Sequence, residues 1–73
     1  MFSSSTEKLE HKIKELNAIK AEYRQELEEA EKQFKKGEID KAHLDRVRAR
    51  TEEHVERINE KIRVTRDKLA EKR

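Results

Sequence analysis

The apolar residues of this chain fall on two narrow stripes that mirror each other about its one glycine, Gly37. In the first half the stripe runs Leu9, Ile13, Leu16, Tyr23, Leu27, Ala30 and Phe34, an alternating four-three spacing interrupted at Lys20. In the second half Leu44, Val47, Thr51, Val55, Ile58, Ile62, Thr65 and Leu69 repeat the pattern. Spacing of this kind places the apolar side chains along one side of an α-helix. Laid antiparallel, the stripes pair so that residue numbers sum to 78: Phe34 with Leu44, Leu27 with Thr51, Tyr23 with Val55, Leu16 with Ile62, Ile13 with Thr65, Leu9 with Leu69. The expected fold is all-α: an antiparallel two-helix coiled-coil hairpin, dimerising into a four-helix bundle.

Local signals agree with a reversal at the glycine. Lys35 and Lys36 complement the negative end of a first helix, and Gly37 can take the left-handed conformation that closes it. Asp40 then suits the N-cap of a second helix, with Ile39 placed to pack back on Leu44 as a hydrophobic staple. The expected organisation is a single domain over residues 6–73: a tail and cap at 1–5, helix at 6–36, turn at 37–39 and helix at 40–72. In the tail, Ser4 and Glu7 fit a reciprocal capping box. The second stripe contains a four-four step at Val47, Thr51 and Val55, a stutter that locally relaxes a supercoil. The segment Phe34–Leu44 resembles the turn of short helical oligomerisation hairpins, in which an aromatic and a glycine precede an isoleucine and a capped helix. That resemblance spans eleven residues and carries no functional residue with it.

Composition narrows what such a hairpin can do. The chain has 73 residues, 49% of them charged, and neither proline nor cysteine. So short a chain buries too little surface to build a deep cleft, so no enzyme, cofactor or small-molecule substrate is expected. Without cysteine there is no disulfide framework and no thiolate ligand or nucleophile. Adjacent metal ligands on a helix need spacing of three or four residues, and His11, His43 and His54 have no histidine at that spacing, so no metal site is expected. No apolar run is long enough for a membrane span, and the first residues lack the basic start and apolar stretch of a secretory signal. The expected setting is cytoplasmic.

What remains is interaction. A two-helix seam leaves each stripe half exposed, and its burial falls short of the cost of ordering the chain, so a second copy or a partner protein is expected to cover it. The contact core expected for that interface is Leu16, Ile19, Tyr23, Val55, Ile58 and Ile62. Of these the hairpin stripe leaves out Ile19, and Val64, also off the stripe, is a further candidate. Lys20, Thr51 and Thr65 are polar residues at seam positions, where they lower stability but set register; the Lys20 ammonium is expected to reach the rim near Glu22 or Glu56.

Charge adds a second function class. The net charge is +2, but residues 8–20 and 58–73 together carry about plus five while residues 21–57 carry about minus two, so the open end of the hairpin is basic. Lys61, Arg63, Arg66 and Lys68 form a possible basic patch for nucleic acid or a ribosomal site. Interspersed Glu60, Asp67 and Glu71, and the lack of stacking aromatics there, make it a poor match to a phosphate-binding stripe. The reading the sequence supports best is a non-enzymatic scaffold or adaptor module, with the nucleic-acid accessory protein as its alternative.

Overall fold

The computed structural model describes residues 4–72, apart from the Ser4 side chain. Two α-helices of 32 residues each, α1 (Ser4–Lys35) and α2 (Lys41–Lys72), fold back on one another as an antiparallel hairpin. At about 1.5 Å per residue each arm is about 48 Å long, in keeping with a molecule measuring 54 × 16 × 10 Å. α1 starts two residues earlier than its sequence signals imply and stops one residue short of Lys36. The expected tail at residues 1–3, the hydroxyl of the Ser4–Glu7 capping box and Arg73 lie outside the described residues.

The reversal is built from the main chain. Gly37 sits at φ +78°, a conformation in which a side chain would crowd the backbone. There its N–H donates to the Phe34 carbonyl at 3.0 Å, and the Glu38 N–H donates to the Gln33 carbonyl at 2.8 Å. These two bonds form a Schellman closure and satisfy carbonyls that the end of α1 would otherwise leave unpaired. Three residues later Asp40 Oδ1 accepts from the His43 N–H at 2.9 Å, capping α2 as its position implies. Ile39, between the two signals, packs on the cluster that contains Leu44, which is the staple contact.

The seam divides into two apolar clusters with polar residues between and beyond them. Near the turn, Ala30, Leu44 and Val47 are buried, with Leu27 and Ile39 packed against them. Toward the open end, Leu16, Ile58 and Ile62 are buried, with Ile13 and Tyr23 alongside. Thr51 lies between these clusters and Thr65 beyond the second, both buried. Thr65 Oγ1 donates to the carbonyl of Lys61 at 2.7 Å, satisfying its hydroxyl within its own helix. Among the described residues, the polar and ring contacts Lys20–Asn59, Glu31–Arg48 and Tyr23–His54 cross between the helices. Their numbers sum to 77 or 79, within one residue of the register read from the stripes.

Two seam expectations need correction. Phe34 shares a groove with Leu44 but remains 37% exposed; the smaller Ala30 packs in that layer instead, and Ile39 returns from the turn to close it. Val55 and Tyr23 do not meet squarely either. The four-four step carries Val55 toward one edge, where it lines a groove with Leu27, Thr51 and Asn59, and brings His54 onto the Tyr23 ring.

Two measurements check this arrangement. Gly37→Ala should lower stability by about 1–2 kcal/mol, a backbone effect alone because an added Cβ meets nothing within 4 Å; urea unfolding would read it. Leu16→Cys combined with Ile62→Cys should oxidise to a cross-link within one chain at high dilution, since both residues lie in one cluster. Cross-linked dimers as the main product at that dilution would contradict the hairpin.

Candidate functional site

Each long edge of the hairpin is a shallow strip bounded by both helices, and the two strips differ in how they are closed. Along the first, polar side chains bridge the helices. Lys20 Nζ donates to Asn59 Oδ1 at 3.0 Å, so its ammonium finds a neutral amide across the seam rather than Glu22 or Glu56. Arg48 reaches Glu31 at 3.4 Å, with Asp45 on its own helix at 3.7 Å. The grooves on this side run past Phe34 and Leu44 near the turn, Leu27 and Val55 in the middle, and Asn17 and Arg66 toward the open end.

The second edge is closed by rings. Tyr23 and His54 stack with their centroids 4.6 Å apart and their planes 7° from parallel, an arrangement whose main contribution is contact area. Ile19, one turn before Tyr23, is 41% exposed, and Val64 is 38% exposed. Val64 borders an open groove with Lys12, Lys61 and Lys68. The exposed large aliphatic side chains among the described residues, Ile19 and Val64, therefore share this edge, while the exposed Phe34 lies on the other.

These placements sort the expected contact core. Leu16, Ile58 and Ile62 are consumed by the hairpin's own seam, so they cannot also form a surface for a second molecule while the hairpin is closed. Tyr23 and Val55 are half-buried on opposite edges, and Ile19 is the member of the set most open to solvent. The six residues do not make one surface. Periodicity places five of them on the two seam stripes and Ile19 beside them, but cannot say that three are covered from within.

The basic patch also divides. Lys61 and Lys68 lie on the Tyr23–His54 edge beside Lys12, whereas Arg63 and Arg66 lie on the opposite edge near Asn17 and Asp67. Arg63 is engaged on its own helix: it donates to both carboxylate oxygens of Glu60 and to Asp67 Oδ2 at 3.1 Å. The hydrogen bonds from Arg63, aided by its charge, hold the Glu60 carboxyl below the usual carboxylate range, and Glu60 in turn raises Arg63. The sign follows from the depressed acid: the pairing is complete at neutral pH and disappears as pH falls through the lowered Glu60 value. Since both groups are at the surface, they contribute to local charge rather than to fold stability.

Asn59 does not stand out in the sequence, and His54 draws notice there only as a metal-ligand candidate, although both lie within one residue of positions facing Lys20 and Tyr23. His11 sits 3.3 Å from Glu15 on α1, and the His43 N–H serves the cap of α2. Among the described residues, no three His, Asp or Glu side chains converge as a metal shell would require, and no helix is long and apolar enough to cross a membrane. Searches against family models, curated proteins and solved structures find no match to this chain.

Proposed function

We propose that this chain is a non-enzymatic coiled-coil interaction module, a scaffold or adaptor that works in the cytoplasm through a helical face and through self-association of two hairpins into a four-helix bundle. The observation that carries the reading is how open the seam stays. Leu16, Leu44 and Thr51 are covered to 4% exposed, but Tyr23, Leu27 and Val55 along the seam remain only half-buried, and Ile19 and Val64 stand in solvent on one edge. A second hairpin laid on that edge would cover both and place the half-buried Tyr23 in an interior.

Rigidity is the functional property such a module offers. With a closed turn at one end and helical arms of about 48 Å, the hairpin holds side chains at set distances from the turn, so that a partner reads a fixed pattern along its length. A bundle of two hairpins presents that pattern twice, which favours assembly over catalysis.

The alternative, a nucleic-acid- or ribosome-associated accessory protein, rests on the basic open end, where Lys12, Lys61 and Lys68 border one groove. Against it, Arg63 is occupied by Glu60 and Asp67, and the four candidate cations divide between two edges.

Sedimentation and thermal unfolding test the first reading: a dimer mass together with a melting temperature that rises with protein concentration is expected, because association stabilises the folded state by mass action. A monomer mass with a concentration-independent midpoint would refute it. For the alternative, binding of duplex DNA or RNA by the wild type should be weak and salt-sensitive, and replacing Lys61, Arg63, Arg66 and Lys68 with glutamine should flatten its salt dependence by roughly one slope unit for each phosphate no longer neutralised. Tight binding at physiological salt would favour the alternative.

A further inference from the structure

The two edges differ in charge as well as in closure. By helical spacing from Tyr23, α1 carries Glu15, Ile19, Glu22 and Glu26 along the Tyr23–His54 edge in steps of four and three, a row that is acidic apart from the isoleucine. On the same edge α2 carries Arg46, Arg50, Arg57, Lys61 and Val64, a basic row interrupted by Glu53. The rows oppose each other in sign, yet no ion pair joins them within the hairpin: Arg57 turns to Glu53 and Glu15 to His11, each on its own helix. The one ion pair that crosses between the described helices, Arg48–Glu31, lies on the other edge, where signs are mixed on both helices.

We propose that the Tyr23–His54 edge is the surface on which a second copy of this chain docks, with a two-fold axis along the length of the hairpins so that α1 of each copy lies over α2 of the other. This deepens the self-association reading and rests on it. In that arrangement residues meet at nearly the same level along the axis. Glu22 faces Arg57 of the second copy, Glu26 faces its Arg50, and Glu15 faces its Lys61. Ile19 settles between Arg57 and Lys61, whose methylene stems offer apolar surface, and Val64 falls between Lys12 and Glu15. Every such contact occurs twice by symmetry.

The charge pattern also selects this symmetry over its rival. Turning the second copy end for end would lay α1 on α1 and α2 on α2, placing the acidic row on itself and the basic row on itself, an arrangement that like charges penalise. The open ends are the exception: Lys8 and Lys12 approach Lys68 of the other copy. Contact is accordingly concentrated over residues 15–26 and 50–64.

Sedimentation equilibrium on the full chain tests the surface. Glu22→Lys with Glu26→Lys, or Arg50→Glu with Arg57→Glu, should each weaken dimerisation by about tenfold or more, since like charges then face each other twice. Mixing the two variants should restore a tight heterodimer, and combining all four substitutions in one chain should restore the homodimer, which separates loss of docking from loss of folding. Arg24→Glu with Arg66→Glu, on the opposite edge, should leave dimerisation unchanged. A wild-type chain that is monomeric at every concentration would refute the self-association reading and this surface with it. A wild-type dimer that is indifferent to the edge variants, that fails to be restored by mixing, or that is weakened by the opposite-edge control would overturn the surface and leave self-association standing.

Discussion

The left-handed turn at Gly37 is the constraint on which the rest of this molecule depends. An antiparallel pair of helices joined by a short turn has one free parameter, the level at which each residue of one arm meets the other. Closing α1 with hydrogen bonds into Gly37 and Glu38, and opening α2 with the Asp40 cap, sets that parameter from three residues of main chain. Once it is set, Leu16 must meet Ile62 and Lys20 must lie beside Ile58 and Asn59. A turn one residue longer would rotate α2 by about 100° relative to its start and present a different face to every partner on α1. The packing of Ile39 on the Leu44 cluster works in the same direction, since it ties the angle of the turn to the first apolar layer.

Register in turn decides what the polar seam residues do. Thr51 and Thr65 are small enough to be covered, and the Thr65 hydroxyl bonds within its own helix, so the layer it occupies needs no partner across the seam. Lys20 behaves differently. Its stem fills a seam position while its ammonium emerges at the edge to meet the Asn59 amide, a hydrogen bond that this register permits and that a one-turn slip of α2 would break. Polar groups of this type contribute little net stability, yet they discriminate between alignments that an all-leucine seam would accept almost equally.

The architecture was legible in the sequence because two independent signals, stripe spacing and turn chemistry, specify it in agreement. Both helices, the Schellman closure and the staple follow from residues 34–44 and from the four-three repeats. What the stripes could not supply is lateral position. A heptad pattern locates a residue on a face but leaves open which edge it leans toward, and that choice follows from rotamers and from the local twist after the stutter at Val47, Thr51 and Val55. Hence Tyr23 stacks on His54 rather than meeting Val55, and Phe34 yields its layer to Ala30. The expected contact core failed to cohere for the same reason. Leu16, Ile58 and Ile62 and the exposed Ile19 belong to neighbouring stripes, and only packing separates the covered from the presented.

Charge in a hairpin this thin acts on two length scales. At short range it is satisfied along each helix: Glu60 and Asp67 surround Arg63, Glu53 takes Arg57, and Glu15 sits by His11. Such pairs are exposed and nearly neutral for stability. What is left over is a pattern rather than a set of bonds, acidic along one helix and basic along the other on a single edge. Within a screening length of about 8–10 Å, that pattern is felt by whatever approaches the edge, and away from the basic open end its sign changes across the width of the hairpin. A surface of this kind attracts a partner whose own charges are reversed across its width. A copy of the same chain, turned about the long axis, meets that requirement without any further design.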